Sequence, residues 1–444
     1  MLRLQLAKSK TTLFIFPMAV KIYFDATESF WRPEIQTGIQ RVVRQVCQRC
    51  QAVAPSGVEA LPILFNGHSW VVCDMSNHWF YNVFSWARIL TVRYRSQRRT
   101  ASVELRSNTI NLSLVLRVLG GFIGGLLFSV LASFAKLCLR FSAPINFLPG
   151  DILVTIEYPS SPSRLESITA VKKKGVKFIA VIHDCVPLTH PDFYQRDKKF
   201  FTDYFKWTLT HADGVMSVSA FSKSEIESRI ISPGRPWVDY FHLGGDFIHR
   251  QFRSPGEKFA RVFSRPCFLM VGTVAPHKNH KQVLDAMDVL WRDQKDIHLL
   301  IIGKVGWQAD EFLERVAKHS QLGKKLFIFH ELDDSDLSYA YAHAHALIAA
   351  SYVEGFGLPV VEALSRGLSV IASDIPVFRE IAGTAIDFFP LENVPKLVEI
   401  INHTALKPRR VISDWHWLSW TDSTQILIKK VIKNTQNTNT SLEI

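Results

Sequence analysis

The chain has 444 residues, 52 of them lysine or arginine and 40 aspartate or glutamate, with a formal net charge of +12. This length predicts two or three domains. Hydrophobic residues make up 47%, which excludes a disordered chain, and 22 glycines and 20 prolines without a period exclude a fibrous one. Six cysteines are too few for a disulfide scaffold, so we expect a reducing, cytosolic setting.

The first residues loosely resemble a signal peptide. Three basic residues precede a short apolar run, Leu13–Phe16, and no small-residue cleavage site follows it. The next segment, Lys21–Asp25, has the composition of a buried first strand. We therefore predict that no signal peptide is present, and Met18 is an alternative start.

Short apolar runs alternate with helical patterns from Lys21 onward. The predicted strands are Ile22–Phe24, Val58–Leu64, Asp151–Ile156, Lys177–Ile182, Val215–Val218, Tyr240–Leu243, Phe268–Val271, Ile297–Ile302, Leu326–Phe329, Ala346–Ala350 and Ser369–Ala372. The predicted helices between them include Ser163–Lys174, Phe221–Ile230, His280–Trp291 and Leu358–Arg366. Near-continuous apolar strands separated by helices indicate parallel sheets buried on both faces. The polar, non-periodic break at Phe247–Ser264 therefore predicts two doubly wound domains with a cleft between them.

The positive charge is concentrated between Asn82 and Gly150. This stretch has nine basic side chains and one acidic side chain, Glu104, and it contains the longest uncharged apolar run, Val118–Ala135, of 18 residues. Four interpretations remain open: a transmembrane helix, a nucleic-acid-binding segment, a membrane-surface element and a packed helical insertion. The run is slightly short for a span and contains four glycines, and no nucleic-acid recognition motif accompanies the arginines. The membrane-surface interpretation is favoured, because basic residues beside an apolar face suit anionic lipid.

The segment Val271–His280 has the features of a phosphate site. An apolar strand ends at Gly272, and Lys278 follows beside the start of a helix. Ligands of parallel sheets bind beyond the carboxyl ends of strands, and a helix N-terminus favours an anion. Taken alone, Lys278 could equally be an ordinary solvent-exposed lysine in a loop. The motifs elsewhere in the sequence therefore decide whether it binds phosphate.

A second strand, turn and helix follow at Ser351–Leu364. Gly355 and Gly357 allow a ligand to approach their backbone N–H groups closely. Glu354 and Glu362 flank this turn, eight positions apart, and carboxylates there suit the hydroxyls of a sugar or a ribose. A capping role or a surface position would explain either glutamate alone. Neither explains the two glutamates together with the glycines of the turn at this spacing.

In this order and spacing, the motifs resemble the family 4 retaining glycosyltransferases of GT-B fold. The segments that carry the resemblance are Thr37–Val46, Ala212–Lys223, Val271–His280, Glu354–Glu362 and Ile371–Val377. The resemblance implies an α/β fold of two Rossmann-like domains facing a cleft. We expect the acceptor-side domain at 1–250 with a basic, apolar helical insertion at about 82–150, the nucleotide-sugar domain at 262–410, and a helix at 411–444 that returns to the first domain.

The resemblance also implies a role for each matching residue. Lys278 would neutralise the diphosphate of the nucleotide-sugar. Glu354 would bind hydroxyls of the transferred sugar and Glu362 those of the ribose. His183, at the end of a first-domain strand, would contact the sugar near the reacting carbon, so that His183 and Glu354 are the expected catalytic residues. Backbone around Phe329–Leu332 would contact the base, and the other expected binding positions are Gly38, Gly272, Thr273, Gly355, Phe356, Gly357 and Leu358.

The sequence departs from the family pattern in two places. Thr273 and His277 stand where relatives often have an arginine, so Lys278 is the expected side-chain cation for the diphosphate, with His277 able to help when protonated. The loop before the first long helix has one glycine, Gly38, where many relatives have two or three.

No metal or other cofactor is expected. Cys47 and Cys50 have thioredoxin-like spacing but lie late in a helix, and no second cysteine pair accompanies them. Asp334 and Asp336 resemble a metal-binding acidic pair, but the favoured interpretation is that Asp333 or Asp334 caps the helix Ser335–His343. The resemblance implies that a lysine, a helix dipole and N–H groups stabilise the leaving diphosphate in place of a divalent ion.

The sequence thus predicts a hexosyltransferase that moves a sugar from a nucleotide-sugar to a growing, lipid-linked cell-surface glycan. Thr37–Arg44 and His183–Pro191 resemble bacterial O-antigen and capsule mannosyl- and rhamnosyltransferases, which makes a GDP-sugar of mannose or a related sugar the first choice. The expected location is peripheral, on the inner face of the cytoplasmic membrane at an anionic lipid surface, without nucleic acid as a partner. A nucleotide-sugar epimerase of the same fold and a non-catalytic membrane-bound scaffold remain alternatives.

Overall fold

The computed structural model describes residues 20–32, 37–73, 130, 142–159, 161–194, 198–230, 236–246, 257–330, 332 and 334–440. The first 19 residues and most of the basic segment at 82–150 lie outside the described residues. The signal-peptide, membrane and insertion interpretations therefore stay predictions.

The first half of the chain builds one mainly parallel sheet. Its strands are β1 Val20–Asp25, β2 Val58–Phe65, β3 Trp70–Val72, β4 Ile152–Thr155, β5 Lys177–Ile182, β6 Gly214–Ser217 and β7 Trp237–Tyr240. Their order is β3-β2-β1-β4-β5-β6-β7. In β1, Ile22 and Phe24 join one apolar cluster and Tyr23 joins another, so both faces of the sheet are buried. The helices of this half are α1 Thr27–Trp31, α2 Gly38–Val53, α3 Pro162–Lys172, α4 Val186–Thr189, α5 Lys198–His211 and α6 Ala220–Glu227.

The second half builds a parallel sheet of the same kind. Its strands are β8 Cys267–Val271, β9 His298–Ile302, β10 Leu326–Phe329, β11 Ala346–Ala349, β12 Val370–Ser373 and β13 Asp387–Phe389. Their order is β10-β9-β8-β11-β12-β13, so the direction of winding reverses between β8 and β11, where doubly wound sheets bind ligands. The helices are α7 Glu257–Val262, α8 His280–Arg292, α9 Asp310–Ala317, α10 Asp334–His343, α11 Leu358–Leu364, α12 Pro376–Ala382, α13 Val394–Ala405 and α14 Trp420–Thr440.

The seventh strand differs from its prediction. The apolar run Tyr240–Leu243 suggested a strand there, but β7 covers Trp237–Tyr240. Gly214 makes room for this register, because a Cβ on it would lie 2.0 Å from the Trp237 ring. The segment after β7 is buried for another reason. It contacts the residues just before α14, where the Gly245 N–H donates to the Leu418 carbonyl at 3.0 Å.

Two short strands were not predicted. β3 pairs antiparallel with β2, which makes the first sheet mixed at its edge. β13 is a three-residue edge strand beside β12. Both are too short to show the period-two pattern by which a strand is found in a sequence.

The last helix, α14, packs against α2 in the first half of the chain. Its buried residues Leu427, Ile428 and Val431 share an apolar cluster with Val43 and Val46 of α2. The domain boundaries proposed from the sequence themselves remain predictions.

The two halves are in direct contact at the turn before α11. The Gly355 carbonyl accepts hydrogen bonds from the hydroxyls of Ser219 at 2.7 Å and Ser222 at 3.0 Å, both in the first half. The Glu380 carboxylate of α12 accepts from the N–H groups of Ala220 at 2.7 Å and Phe221 at 2.9 Å, the first residues of α6. An acidic group at a helix N-terminus is stabilising, so these bonds help to hold the two halves together.

Candidate active site

One cleft between the two sheets contains the expected catalytic and donor-binding residues. It is lined from the first half by Gly38 and His183, and from the second half by Gly272, Thr273, Lys278, Glu354, Gly355, Phe356, Gly357, Leu358 and Glu362. The strand ends of β5, β8 and β11 open into it, because the carboxyl edges of the two sheets face each other. The structure thus brings the predicted residues together, while their roles stay predictions.

Lys278 and Glu354 form an ion pair in the floor of the cleft. The ammonium group of Lys278 donates to Glu354 Oε1, and the Ser351 hydroxyl donates to the same oxygen at 2.6 Å. Burial would raise the pKa of Glu354, but Lys278 and His277 and these hydrogen bonds outweigh it and lower that pKa. Glu354 is therefore a carboxylate near neutral pH, able to accept hydrogen bonds from sugar hydroxyls.

Glycines shape the turn that follows Glu354. A Cβ on Gly355 would lie 2.1 Å from the His183 carbonyl oxygen, so the close approach of the two halves requires glycine there. Gly357 precedes α11 with a φ of 106°, in the left-handed region that favours glycine. Gly355, Phe356, Gly357 and Leu358 all line the cleft, so the backbone of this turn faces it, a geometry suited to an anion.

Both carboxylate oxygens of Glu362 accept hydrogen bonds from protein side chains. Its Oε1 accepts a hydrogen bond from the guanidinium of Arg41, and its Oε2 accepts one from the Tyr341 hydroxyl at 2.8 Å. The Glu362 side chain is 5% exposed and that of Arg41 is 23% exposed. Arg41 belongs to α2, so this ion pair joins the two halves across the cleft.

His183 is a neutral side chain at the end of β5. Its Nε2 lies 2.7 Å from the Ile156 carbonyl, which makes Nε2–H the donor and leaves Nδ1 as an acceptor. Burial lowers the pKa of His183 to about 4, against a smaller raising effect of the bond to Ile156. The ring therefore suits hydrogen bonding to a sugar rather than proton transfer.

Two weaker expectations change in the structure. His277 is buried against Trp307, with ring centroids 5.5 Å apart, and burial and the adjacent Lys278 lower its pKa to about 3, so it supplies no cation. Glu157 directly follows the predicted strand Asp151–Ile156, a position that suits either contact with the acceptor or a surface role. Instead its carboxylate is 2% exposed and accepts from the N–H of Glu28 at 2.5 Å and the hydroxyl of Ser29 at 2.8 Å, at the start of α1.

Sequence reasoning missed several residues that line the cleft. They are Arg41, Asp184, Lys304 and Asp334. Arg41 could have been predicted from helical spacing. It stands three residues after Gly38 and so lies on the same face of α2. His330 and Leu332 belong to the segment expected to contact the base. Burial raises the pKa of Asp184 to about 6, and Glu354 contributes to the rise.

The described residues offer neither a metal cluster nor a reactive cysteine pair. Among the described residues, no group of three histidine, cysteine, aspartate or glutamate side chains could hold a metal ion. Cys47 and Cys50 are buried free thiols, and burial raises the pKa of both. A raised pKa makes a thiol less reactive, in line with a structural position.

Comparison with known proteins places this arrangement in a class. Residues 257–403 match the family described as Glycosyl transferases group 1. The serotype-specific mannosyltransferase WbdA of Escherichia coli is 34% identical over 314 residues, which are 65% of this chain and 38% of WbdA. O-antigen chain mannosyltransferase B of Escherichia coli is 29% identical over 216 residues, covering 47% of this chain and 55% of that protein. The chain thus spans little more than a third of the length of WbdA.

Solved structures show the same fold. The chain superimposes on Anabaena HepE in complex with UDP and glucose with a TM-score of 0.54, at 13% identity over 96% of this chain and 99% of that one. The sucrose-phosphate synthase of Thermosynechococcus elongatus also gives a TM-score of 0.54, at 13% identity over 96% of this chain and 98% of that one. The predicted GT-B architecture of two Rossmann-like halves is confirmed, and the matched domain and the mannosyltransferase relatives support the prediction of a hexosyltransferase. Within the described residues, every helix is too short or too polar to cross a bilayer.

Proposed function

We propose that this chain is a retaining glycosyltransferase that moves mannose or a related sugar from a GDP-sugar to a growing, lipid-linked cell-surface glycan. The observation that carries the proposal is the meeting of His183, Lys278, Glu354 and Glu362 in one cleft between the sheets. The mannosyltransferase relatives that act on O-antigen support the sugar and the glycan class.

The first chemical task is to stabilise the leaving nucleoside diphosphate. Its β-phosphate gains negative charge as the bond to the sugar breaks, and Lys278 with the N–H groups of Gly355–Leu358 would meet that charge. Preorganised groups of this kind act strongly in a site from which water is excluded. We therefore propose that transfer needs no divalent metal ion.

The second task is to hold the sugar and the ribose. The ionised Glu354 would accept hydrogen bonds from hydroxyls of the transferred sugar, and His183 Nδ1 would accept another close to the reacting carbon. The ribose hydroxyls would bind Glu362, and to do so they compete with Arg41 for its Oε1. The acceptor hydroxyl would then attack on the face from which the diphosphate leaves, which retains the anomeric configuration.

The place of the reaction follows from the acceptor. A lipid-linked glycan lies at the inner face of the cytoplasmic membrane, and the basic, apolar segment at 82–150 would bring the first domain to its anionic lipid. The sugar-transfer site and this segment are separate in the chain, so each can be tested without the other.

The deciding experiment is a screen of nucleotide-sugars for thermal stabilisation, followed by a transfer assay. GDP-mannose is expected to raise the melting temperature more than UDP-glucose, because a ligand bound only by the folded protein stabilises it. Transfer to an oligomannoside should proceed in excess EDTA and give an α-linked product, as read by NMR. The absence of a shift with every nucleotide-sugar would favour a non-catalytic scaffold. Conversion of the sugar nucleotide without any acceptor would identify an epimerase.

A further inference from the structure

A second cavity of about 320 Å³ lies next to the candidate active site. The two sites share one loop: Thr273 and Lys278 line the active-site cleft, while Asn279 and His280 line this cavity. Tyr352, two residues before Glu354, forms another part of its wall. The cavity is therefore within reach of a long ligand whose end lies in the cleft.

His280 is a polar group in this wall without a protein partner. The side chain is 5% exposed, and its ring lies beside the Phe312 ring, with centroids 5.5 Å apart. Within the described part of the chain, neither ring nitrogen has a hydrogen bond from or to another residue. Burial, with Lys278 and His277, lowers the pKa of His280 to about 3, so the ring is neutral and can both donate and accept a hydrogen bond. The ring nitrogens are not among the fully buried polar atoms that lack a partner, so they keep contact with solvent and are open to a ligand in the cavity.

Aromatic rings form the rest of the wall. Phe312 comes from α9, Tyr352 follows β11, and Phe193 comes from the first half of the chain, with its ring 5.5 Å from that of Tyr352. The indole of Trp307 donates a hydrogen bond to the Phe193 carbonyl, which fixes this loop against the second half. Flat apolar rings beside a few polar groups are typical of pockets that orient a small ligand.

The charges around the cavity favour a neutral ligand. Arg315 lines it, but its guanidinium is paired with Asp285 at 2.6 Å and Asp288 at 2.7 Å. Lys281 and Glu311 stand at the rim with opposite charges. A ligand rich in hydroxyl groups matches the neutral histidine and the aromatic rings, while an anion gains little here.

We infer that this cavity binds a sugar residue of the acceptor glycan, remote from the residue that receives the new sugar. The inference rests on the proposed function, which supplies the acceptor. His183, where the transferred sugar would lie, lines the cleft, and Phe193, ten residues further on, lines the cavity, so a glycan that follows this segment would enter the cavity. Binding there makes a longer glycan a better acceptor than a short one.

The test compares acceptors of different length in variants of the cavity. His280→Ala and Phe312→Ala remove its polar and apolar contacts, and His403→Ala, exposed on α13, is the control. For an α-linked mannose hexasaccharide, we expect each cavity variant to raise KM about five- to tenfold, the effect of losing one hydrogen bond or one ring contact. For the disaccharide, KM and kcat should equal those of the wild type. An equal loss with both acceptors, or no loss, overturns the inference.

A binding measurement separates this inference from the proposed function. Saturation-transfer NMR with the hexasaccharide and no nucleotide-sugar should show binding to the wild type and weaker binding to both variants. Lys281→Trp, which fills the exposed rim without touching the buried wall, should weaken hexasaccharide binding as well. This variant keeps the inference testable if the other two do not fold. Binding that depends on His280 in a protein without transferase activity would overturn the proposed function alone. Equal binding by all variants would overturn the cavity assignment alone.

Discussion

Arg41 and Glu362 form an ion pair that crosses the cleft and joins residues 321 positions apart in the chain. Glu362 is the carboxylate assigned to the ribose, so the ligand-free protein already uses it to hold its two halves together. Under the proposed function, binding of the nucleotide-sugar would exchange the Arg41 contact for a ribose contact at Glu362 Oε1.

Removing Arg41 should have two opposite effects on stability. In Arg41→Ala, we expect the ligand-free protein to lose about 2 kcal/mol of unfolding free energy, because a buried carboxylate loses its cation. The rise in melting temperature on adding the nucleotide-sugar should be larger than in the wild type, because the ribose no longer displaces an ion pair. Thermal unfolding with and without ligand measures both effects. Arg49→Ala, on the same helix, is the control, since Arg49 bonds to the Gln45 carbonyl of its own helix. Identical ligand-induced shifts in Arg41→Ala and the wild type would refute competition for Glu362.

Glu354→Gln should abolish most of the activity and retain the fold. The change keeps the size of the side chain but removes the charge that pairs with Lys278 and receives the sugar hydroxyls. We expect kcat to fall about 100-fold or more, the usual effect of losing one electrostatic contact in an active site. Circular dichroism checks the fold, and Glu399→Gln, an exposed partner of Lys396, is the control. Unimpaired transfer by Glu354→Gln would remove this residue from the site.

His183 should make stability depend on pH in a predictable direction. Its pKa is about 4 in the folded protein and about 6.5 in the unfolded chain, so between these values the unfolded chain binds more protons. The stability that neutral His183 contributes is present above pH 6.5 and is lost as the pH falls toward 4. Between pH 6.5 and 5, the wild type should lose about 2 kcal/mol relative to His183→Gln. Urea unfolding at several pH values gives this difference, and His416→Gln, exposed near the C-terminus, should lack it. A difference that does not change with pH would mean that His183 is not held neutral.

The basic segment should control membrane binding without affecting the chemistry. Replacing Arg93, Arg95, Arg98 and Arg99 by glutamine removes four positive charges near the apolar run. Each basic residue near an anionic surface contributes about 1 kcal/mol, so flotation with anionic liposomes should be lost. Transfer to a soluble oligomannoside should be unchanged. Equal flotation of the variant and the wild type would reject the membrane-surface interpretation.

Much of the candidate site follows from the sequence because of one geometric rule. In a parallel sheet the carboxyl ends of the strands meet at one edge, so residues just after apolar runs come together even when far apart in the chain. Lys278 follows β8 and Glu354 follows β11, the neighbouring strand, and the structure joins them as an ion pair. His183 follows β5 in the other sheet and lines the same cleft.

The sequence by itself determined the two-domain α/β class, the strand ends and the glycines of the turn before α11, because these depend on local pattern and on backbone geometry. Only the tertiary structure decided which groups face each other and which are charged. It placed Arg41 on Glu362, packed the Gly355 backbone between Ser219 and Ser222, and buried His277 as a neutral ring. The physical reason is that a contact between the halves depends on how they pack together, and a pKa depends on burial, neither of which is present in the order of residues.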